Sequence, residues 1–196
     1  MDVRIRRYVA TDLDAAVTVL GDAFVTNPTH VAAFGPNRVD QNQLFFRIAL
    51  EHMFTGHACV AIVDDELQGY SHFVASPICL PPPGEFEVAA ATLLKPLGDA
   101  LPKVVEWFSL WCRLDPKESH LHLGPIGVSP SVQGQGVGSV LMNYYINHLE
   151  TEGIAGYLET NKPENVAFYR KFGFVVQREE DVIGTPNWFM WRPAPE

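Results

Sequence analysis

Apolar and polar side chains alternate from the start of the chain, so residues 3–8 read as an opening strand. At Leu13 the period changes. Leu13, Ala16, Val17, Leu20 and Phe24 recur at helical spacing, and Thr11 with Asp14 three residues on predicts a capping box in which Asp replaces the usual Glu. Asn27-Pro28 ends that helix. A second helical pattern runs over about residues 40–54, with Leu44, Phe45, Ile48 and Met53 among its apolar positions. Residues 57–63 and 67–75 flank Asp64-Asp65-Glu66 and predict a hairpin.

Between residues 76 and 119 the pattern is less regular. Pro81-Pro82-Pro83-Gly84 is a stiff connector. Residues 88–97 and 104–114 have helical character interrupted by Pro96 and Pro102. They are too apolar for a linker and are expected to pack on the domain. Trp107, Phe108 and Trp111 could line a substrate pocket, but an aromatic stripe at this spacing is more often plain core. Further on, the pattern predicts a strand at 120–128, a helix at 138–152 stopped by Gly153 and a strand at 155–160. A helix at 163–172 follows, stopped by Gly173, and closing strands lie at 174–178 and 187–191. This order fits a mixed α/β sheet better than a purely parallel one.

The strand at 120–128 changes register within itself. Leu121 and Leu123 place apolar side chains on odd positions, whereas Ile126 and Val128 place them on even ones. Side chains alternate with a period of two, so one buried face can continue only if a residue is inserted near Gly124-Pro125. That predicts a β-bulge, which would splay this strand from its neighbour and leave backbone groups for an amide-bearing ligand.

A glycine-rich loop follows directly, Gln133-Gly-Gln-Gly-Val-Gly138, between strand and helix. Such a loop turns backbone N–H groups toward an anion at the positive end of the helix dipole. A dinucleotide fingerprint fails because Ser139 or Leu141 stands where its third glycine is needed, and no Gly-Lys-Ser/Thr of a P-loop is present. A Q-x-x-G-x-G pattern remains.

Bulk properties narrow the classes. The 196 residues suit one domain, and the net charge of −9 with an isoelectric point near 5.2 disfavours nonspecific binding to nucleic acid or anionic membranes. Cys59, Cys79 and Cys112 are odd in number and lack C-x-x-C spacing, so neither a zinc site nor a disulfide framework is expected and a reducing, cytoplasmic setting is. No run approaches membrane-spanning length.

With these residues in view, the chain resembles the GCN5-related N-acetyltransferases (GNAT). Their Q/R-x-x-G-x-G/A loop holds the pyrophosphate of acetyl-coenzyme A. Asn165-Val-Ala-Phe-Tyr-Arg-Lys-Phe-Gly-Phe174 is similar to a second motif of that family, one helix and one strand downstream. The resemblance is strong from His120 to about Phe174, while the first half agrees in element order only and the segment at 81–115 departs from the minimal pattern. It implies a single N-acetyltransferase domain over 1–196, with a mostly antiparallel twisted sheet, a bulged and splayed central strand and helices on both faces. The 81–115 segment would then stand over the acceptor site.

By matching positions, the resemblance implies that Ile126, Gly127 and Val128 line the pantetheine arm. Gln133, Gly134, Gln135, Gly136, Val137, Gly138 and Ser139 would wrap the pyrophosphate. Asn161 and Asn165 would border the same groove, and Tyr169 would be the general acid for the departing thiolate. Acetyl transfer to an amine also needs the amine neutral, against a pKa of about 10.4. His122, which shares its side of the strand with His120, is one candidate base, and Glu159 on the adjacent strand is another. The implied function is transfer of an acetyl group from acetyl-CoA, as co-substrate and without a metal, to a primary amine of a small molecule. A protein or peptide N-acetyltransferase and a non-catalytic acetyl-CoA sensor are the alternatives. A homodimer is compatible with the sequence; nucleic acid and membrane are not expected partners.

Overall fold

The computed structural model describes residues 2–82 and 84–195. Seven strands form one sheet. In chain order they are β1 (Val3–Arg7), β2 (His57–Val63), β3 (Glu66–Ala75), β4 (His120–Val128), β5 (Ala155–Thr160), β6 (Val175–Val182) and β7 (Thr185–Arg192). Across the sheet they lie in the order β1-β2-β3-β4-β5-β7-β6. Every neighbouring pair is antiparallel except β4 and β5.

Helices cover both faces. On one face α1 (Leu13–Phe24), α2 (Pro28–Phe34), α3 (Val39–Ile48), α4 (Glu85–Leu93) and α5 (Leu101–Leu114) share a core with Tyr70, Tyr157 and Phe189 of the sheet. On the other, α6 (Val137–Glu152) and α7 (Pro163–Arg170) pack on Phe73, Leu121, Leu123, Leu158 and Met190. Leu121 and Leu123 of β4 face this second core and the even-numbered Ile126 joins them, a change of parity that a period of two allows only with an inserted residue.

Local chemistry corrects several expected boundaries. The Thr11–Asp14 capping box does not form. Instead a 3₁₀ turn at Ala10–Asp12 precedes α1, and the Asp12 carboxylate accepts from the Val9 N–H at 2.9 Å and pairs with Arg6 at 2.6 Å. Asn27-Pro28 does more than end α1. The Asn27 Oδ1 accepts from the His30 N–H at 3.1 Å and Pro28 fills the first turn, so the pair starts α2, a helix the periodicity did not show. The pattern at 40–54 divides into α3 and a π-helical turn at Ala49–Met53. Pro102 interrupts nothing: it occupies the first turn of α5, where its missing N–H costs no helical bond. The helix at 163–172 stops at Arg170, and both closing strands extend beyond the expected ranges, β6 continuing through the charged run Arg178–Asp181 on an edge of the sheet.

The β4 irregularity is a one-residue bulge. Ser71 of β3 faces Ile126 while Phe73 faces Leu123, so three steps along β4 match two along β3 at Gly124-Pro125. On its other side β4 pairs with β5 only from His120–Ala155 to Leu123–Leu158. Beyond those residues the parallel strands part, and the β5-facing edge of residues 124–128 has no strand partner. Gly127 is required by close packing, because a Cβ there would lie 2.8 Å from Leu20 Cδ2 of α1.

Candidate active site

The splay opens into a cavity of about 140 Å³. Phe45, Phe46, Trp107, Phe108 and Trp111 of α3 and α5 wall one side; His122, Glu159 and Tyr169 face it from the sheet and α7. The aromatic run on α5 is thus core and pocket lining at once. Trp107 is buried, and its ring stands edge-on to that of Trp111 with centroids 5.2 Å apart. From the 76–119 segment, Cys79 and Leu80 join the α5 aromatics in lining the cavity.

Gln133 to Ser139 form the loop between β4 and α6. Gly134 (φ +75°) and Gly136 (φ +93°) both need left-handed backbone, and a Cβ on either would meet nothing within 4 Å, so that the concavity is open. The N–H groups of Gly134, Gly136, Val137 and Gly138 make no backbone hydrogen bond to a described residue. These are free donors at the N-terminus of a 16-residue helix, the arrangement a diphosphate needs. Gln133 donates from Nε2 to the Val128 carbonyl at 2.9 Å, tying the loop back to the strand end. Ile126, Gly127 and Val128 form the splayed edge leading from this loop to the cavity, and Asn165 lines the cavity from the start of α7.

Asn161 also borders the cavity, but its amide is committed. Its Nδ2 donates to Asn27 Oδ1 at 2.9 Å and to Thr29 Oγ1 at 2.7 Å, while its Oδ1 accepts from Asn27 Nδ2 at 2.8 Å. The buried side chain bolts the end of β5 to the N-terminus of α2 and shapes the rim. Tyr169 is buried, and burial pushes its phenol pKa up, so it remains protonated at neutral pH.

His122 and Glu159, two separate candidates in the sequence, are partners in the structure. His122 Nε2 lies 2.7 Å from Glu159 Oε2, with both side chains almost wholly buried. Burial alone would lower the imidazole pKa, but the Glu159 carboxylate and the nearby Cys79 outweigh it and raise it. A ring that holds its proton toward Glu159 is poorly placed to accept another, whereas Glu159, itself a lining residue of the cavity, has a buried Oε1 with no hydrogen-bond partner. His120 lies deeper, with its side chain at 0% exposure. Its neighbours Cys79 and Asp115 carried no signal in the sequence, being 41 and 5 residues away and in different elements. Their proximity arises only when the 76–119 segment folds back on β4.

The class is settled by the fold and this loop together with the family comparison. Residues 30–174 match the model of the acetyltransferase (GNAT) family, and the chain belongs to that family. Among solved structures, one described as histone acetyltransferase HPA2 and related acetyltransferase from Corynebacterium glutamicum is 25% identical, with a TM-score of 0.75, covering 100% of this chain and 98% of that one. A phosphinothricin acetyltransferase from Sinorhizobium meliloti, solved with acetyl-CoA, shares the fold at 18% identity and a TM-score of 0.60, covering 100% of this chain and 90% of that one. Mycothiol acetyltransferase from Paenarthrobacter aurescens is 33% identical over 83 residues, which is 39% of this chain and 25% of that protein. The match thus spans a quarter of that relative's length. No helix among the described residues is long and apolar enough to cross a membrane.

Proposed function

We propose that the protein transfers an acetyl group from acetyl-CoA to a primary amine of a small molecule by direct attack. The observation that carries the reading is the Glu159 carboxylate, with one oxygen unpartnered, inside an aromatic-walled cavity at the mouth of the β4–β5 splay. The residues fit the donor: free N–H groups and two left-handed glycines in the 133–139 loop suit a pyrophosphate, and the unpaired β4 edge suits an amide-bearing arm. Bound acetyl-CoA would supply the thioester carbonyl.

Glu159 Oε1 anchors the incoming ammonium and takes the proton that must leave before the nitrogen can attack. His122 holds Glu159 in place through its Nε2–H and is a positioning residue in this scheme. Tyr169, kept protonated by burial, stands to give its proton to the thiolate. The aromatic walls exclude water and offer ring faces to a cationic substrate. A cavity of about 140 Å³ is close to the roughly 150 Å³ that accommodates a benzene-sized group. This size, with the α5 aromatics as one wall, favours a compact amine over an extended peptide.

The test is thiol release from acetyl-CoA over a panel of small aromatic and aliphatic amines beside N-terminal and lysine peptides. Release with small amines that falls at least tenfold in Glu159→Gln is expected. Release with peptides alone would replace the acceptor assignment, and acetyl-CoA binding without release on any acceptor would favour a sensor.

A further inference from the structure

Beneath the cavity four side chains converge that the acetyl-transfer scheme leaves without a purpose as a group. We propose that Cys79, Asp115, His120 and His122 form a binding site for a zinc-type divalent metal ion. One donor atom from each lies within 4.8 Å of all the others. They come from three places: the segment after β3, the residue following α5, and two positions of one face of β4.

The spacing is that of a coordination shell. Tetrahedral zinc with nitrogen ligands at about 2.0–2.1 Å and sulfur at about 2.3 Å sets its ligand atoms roughly 3.3–3.6 Å apart. Cys79 Sγ lies 3.3 Å from Asp115 Oδ2 and 3.6 Å from His120 Nε2. Asp115 Oδ1 lies 3.6 Å from both His120 Nε2 and His122 Nδ1. The Cys79 contacts are within hydrogen-bond range for sulfur, but the two 3.6 Å N···O distances are too long for good N–H···O hydrogen bonds. Asp115 Oδ1 and His122 Nδ1 accordingly have no hydrogen-bond partner, although both atoms are shielded from solvent. A cation between the four would satisfy them together.

The outer contacts agree. Each histidine uses its remaining nitrogen on an oxygen acceptor, as metal-bound histidines do. His120 Nδ1 lies 2.7 Å from the Glu118 carbonyl and His122 Nε2 lies 2.7 Å from Glu159. Charge balances as well. On binding, Cys79 releases its thiol proton to solvent, as does each imidazole that carries a second proton, so that the thiolate and the Asp115 carboxylate cancel the two positive charges of the ion and both imidazoles are neutral. A closed set of four protein ligands is a structural site. It would fasten the segment carrying α4 and α5 to β4, and fix the His122 tautomer that donates to Glu159.

Cobalt(II) as a probe tests this on the full chain after dialysis against a chelator. One equivalent should produce the visible absorption of a tetrahedral site together with a near-ultraviolet thiolate-to-cobalt charge-transfer band. Zinc should displace both. The charge-transfer band should vanish in Cys79→Ser and persist in Cys59→Ser and Cys112→Ser. No band in the wild-type protein, or one that survives in Cys79→Ser, overturns the site. Should Cys79→Ser fail to fold, alkylation of the wild-type protein decides: zinc is expected to protect Cys79, and equal modification with and without zinc refutes the proposal.

Discussion

Gly136 and Gly138 belong to the same loop motif but should respond very differently to a methyl group. Gly136 caps α6 at φ +93° and ψ −7°, in left-handed space that costs an L-residue about 1–2 kcal/mol. Its environment is open, so Gly136→Ala meets no atom within 4 Å and the whole penalty is conformational. The alanine either strains the loop or lets it rotate, and rotation turns the free N–H groups away from the diphosphate. Gly138 has no positive φ, and a Cβ there would make ordinary contacts, 3.7 Å to Phe168 and 3.8 Å to Val128. Gly138→Ala is therefore expected to be nearly neutral, in keeping with a motif that tolerates alanine there. A loss of 1–2 kcal/mol corresponds to roughly 5–30-fold weaker acetyl-CoA binding for Gly136→Ala, against less than about twofold for Gly138→Ala. Isothermal titration with acetyl-CoA measures both. Equal effects, or a larger one at Gly138, would refute the assignment of the loop as a conformationally set cradle.

Other positions give independent checks. Tyr169→Phe should lower turnover at saturating substrates far more than it changes acetyl-CoA affinity; unchanged turnover would remove the acid role. Gly127→Ala forces a Cβ toward Leu20 Cδ2 and Ala23, so a loss of about 1–3 kcal/mol in urea melts is expected. His30 is buried among the rings of Phe24, Phe46 and Trp107, and burial depresses its pKa to about 3 despite its bond to Asn42. The unfolded chain takes this proton near pH 6.5 and the folded one only near 3, so His30 adds stability in full above pH 6.5. That contribution declines by up to about 1.4 kcal/mol per pH unit as the pH falls through the window. A His30 ring titrating near 6.5 by NMR in the folded protein would contradict it.

What could be read from the sequence was whatever periodicity or backbone geometry enforces locally. The bulge at Gly124-Pro125 was visible because moving apolar residues from odd to even positions leaves one face buried only if a residue is inserted. The 155–160 strand and the glycine stops at 153 and 173 were equally local, and both glycines adopt positive φ. Several of the misses share one cause, long-range partners. Asn27 caps α2 and also reaches Asn161, 134 positions away, and nothing in the local pattern distinguishes it from a simple helix stop. Asp12 outcompetes Thr11 as the turn-closing residue because Arg6 of β1 holds its carboxylate. Cys79 and Asp115 looked unremarkable apart, since only the fold of the intervening helices carries them to His120 and His122. His122 and Glu159 were each plausible bases until adjacency on parallel strands made them one hydrogen-bonded pair.

The proposed acetyl-CoA groove begins at the 133–139 loop and ends at Glu159. Thermal unfolding with and without acetyl-CoA tests it most directly. At about 100 times its dissociation constant, acetyl-CoA should add roughly 2.7 kcal/mol of stability and raise the midpoint visibly, with a smaller rise at equal concentration in Gly136→Ala. A midpoint that stays put in the wild-type protein at millimolar acetyl-CoA would contradict the groove itself.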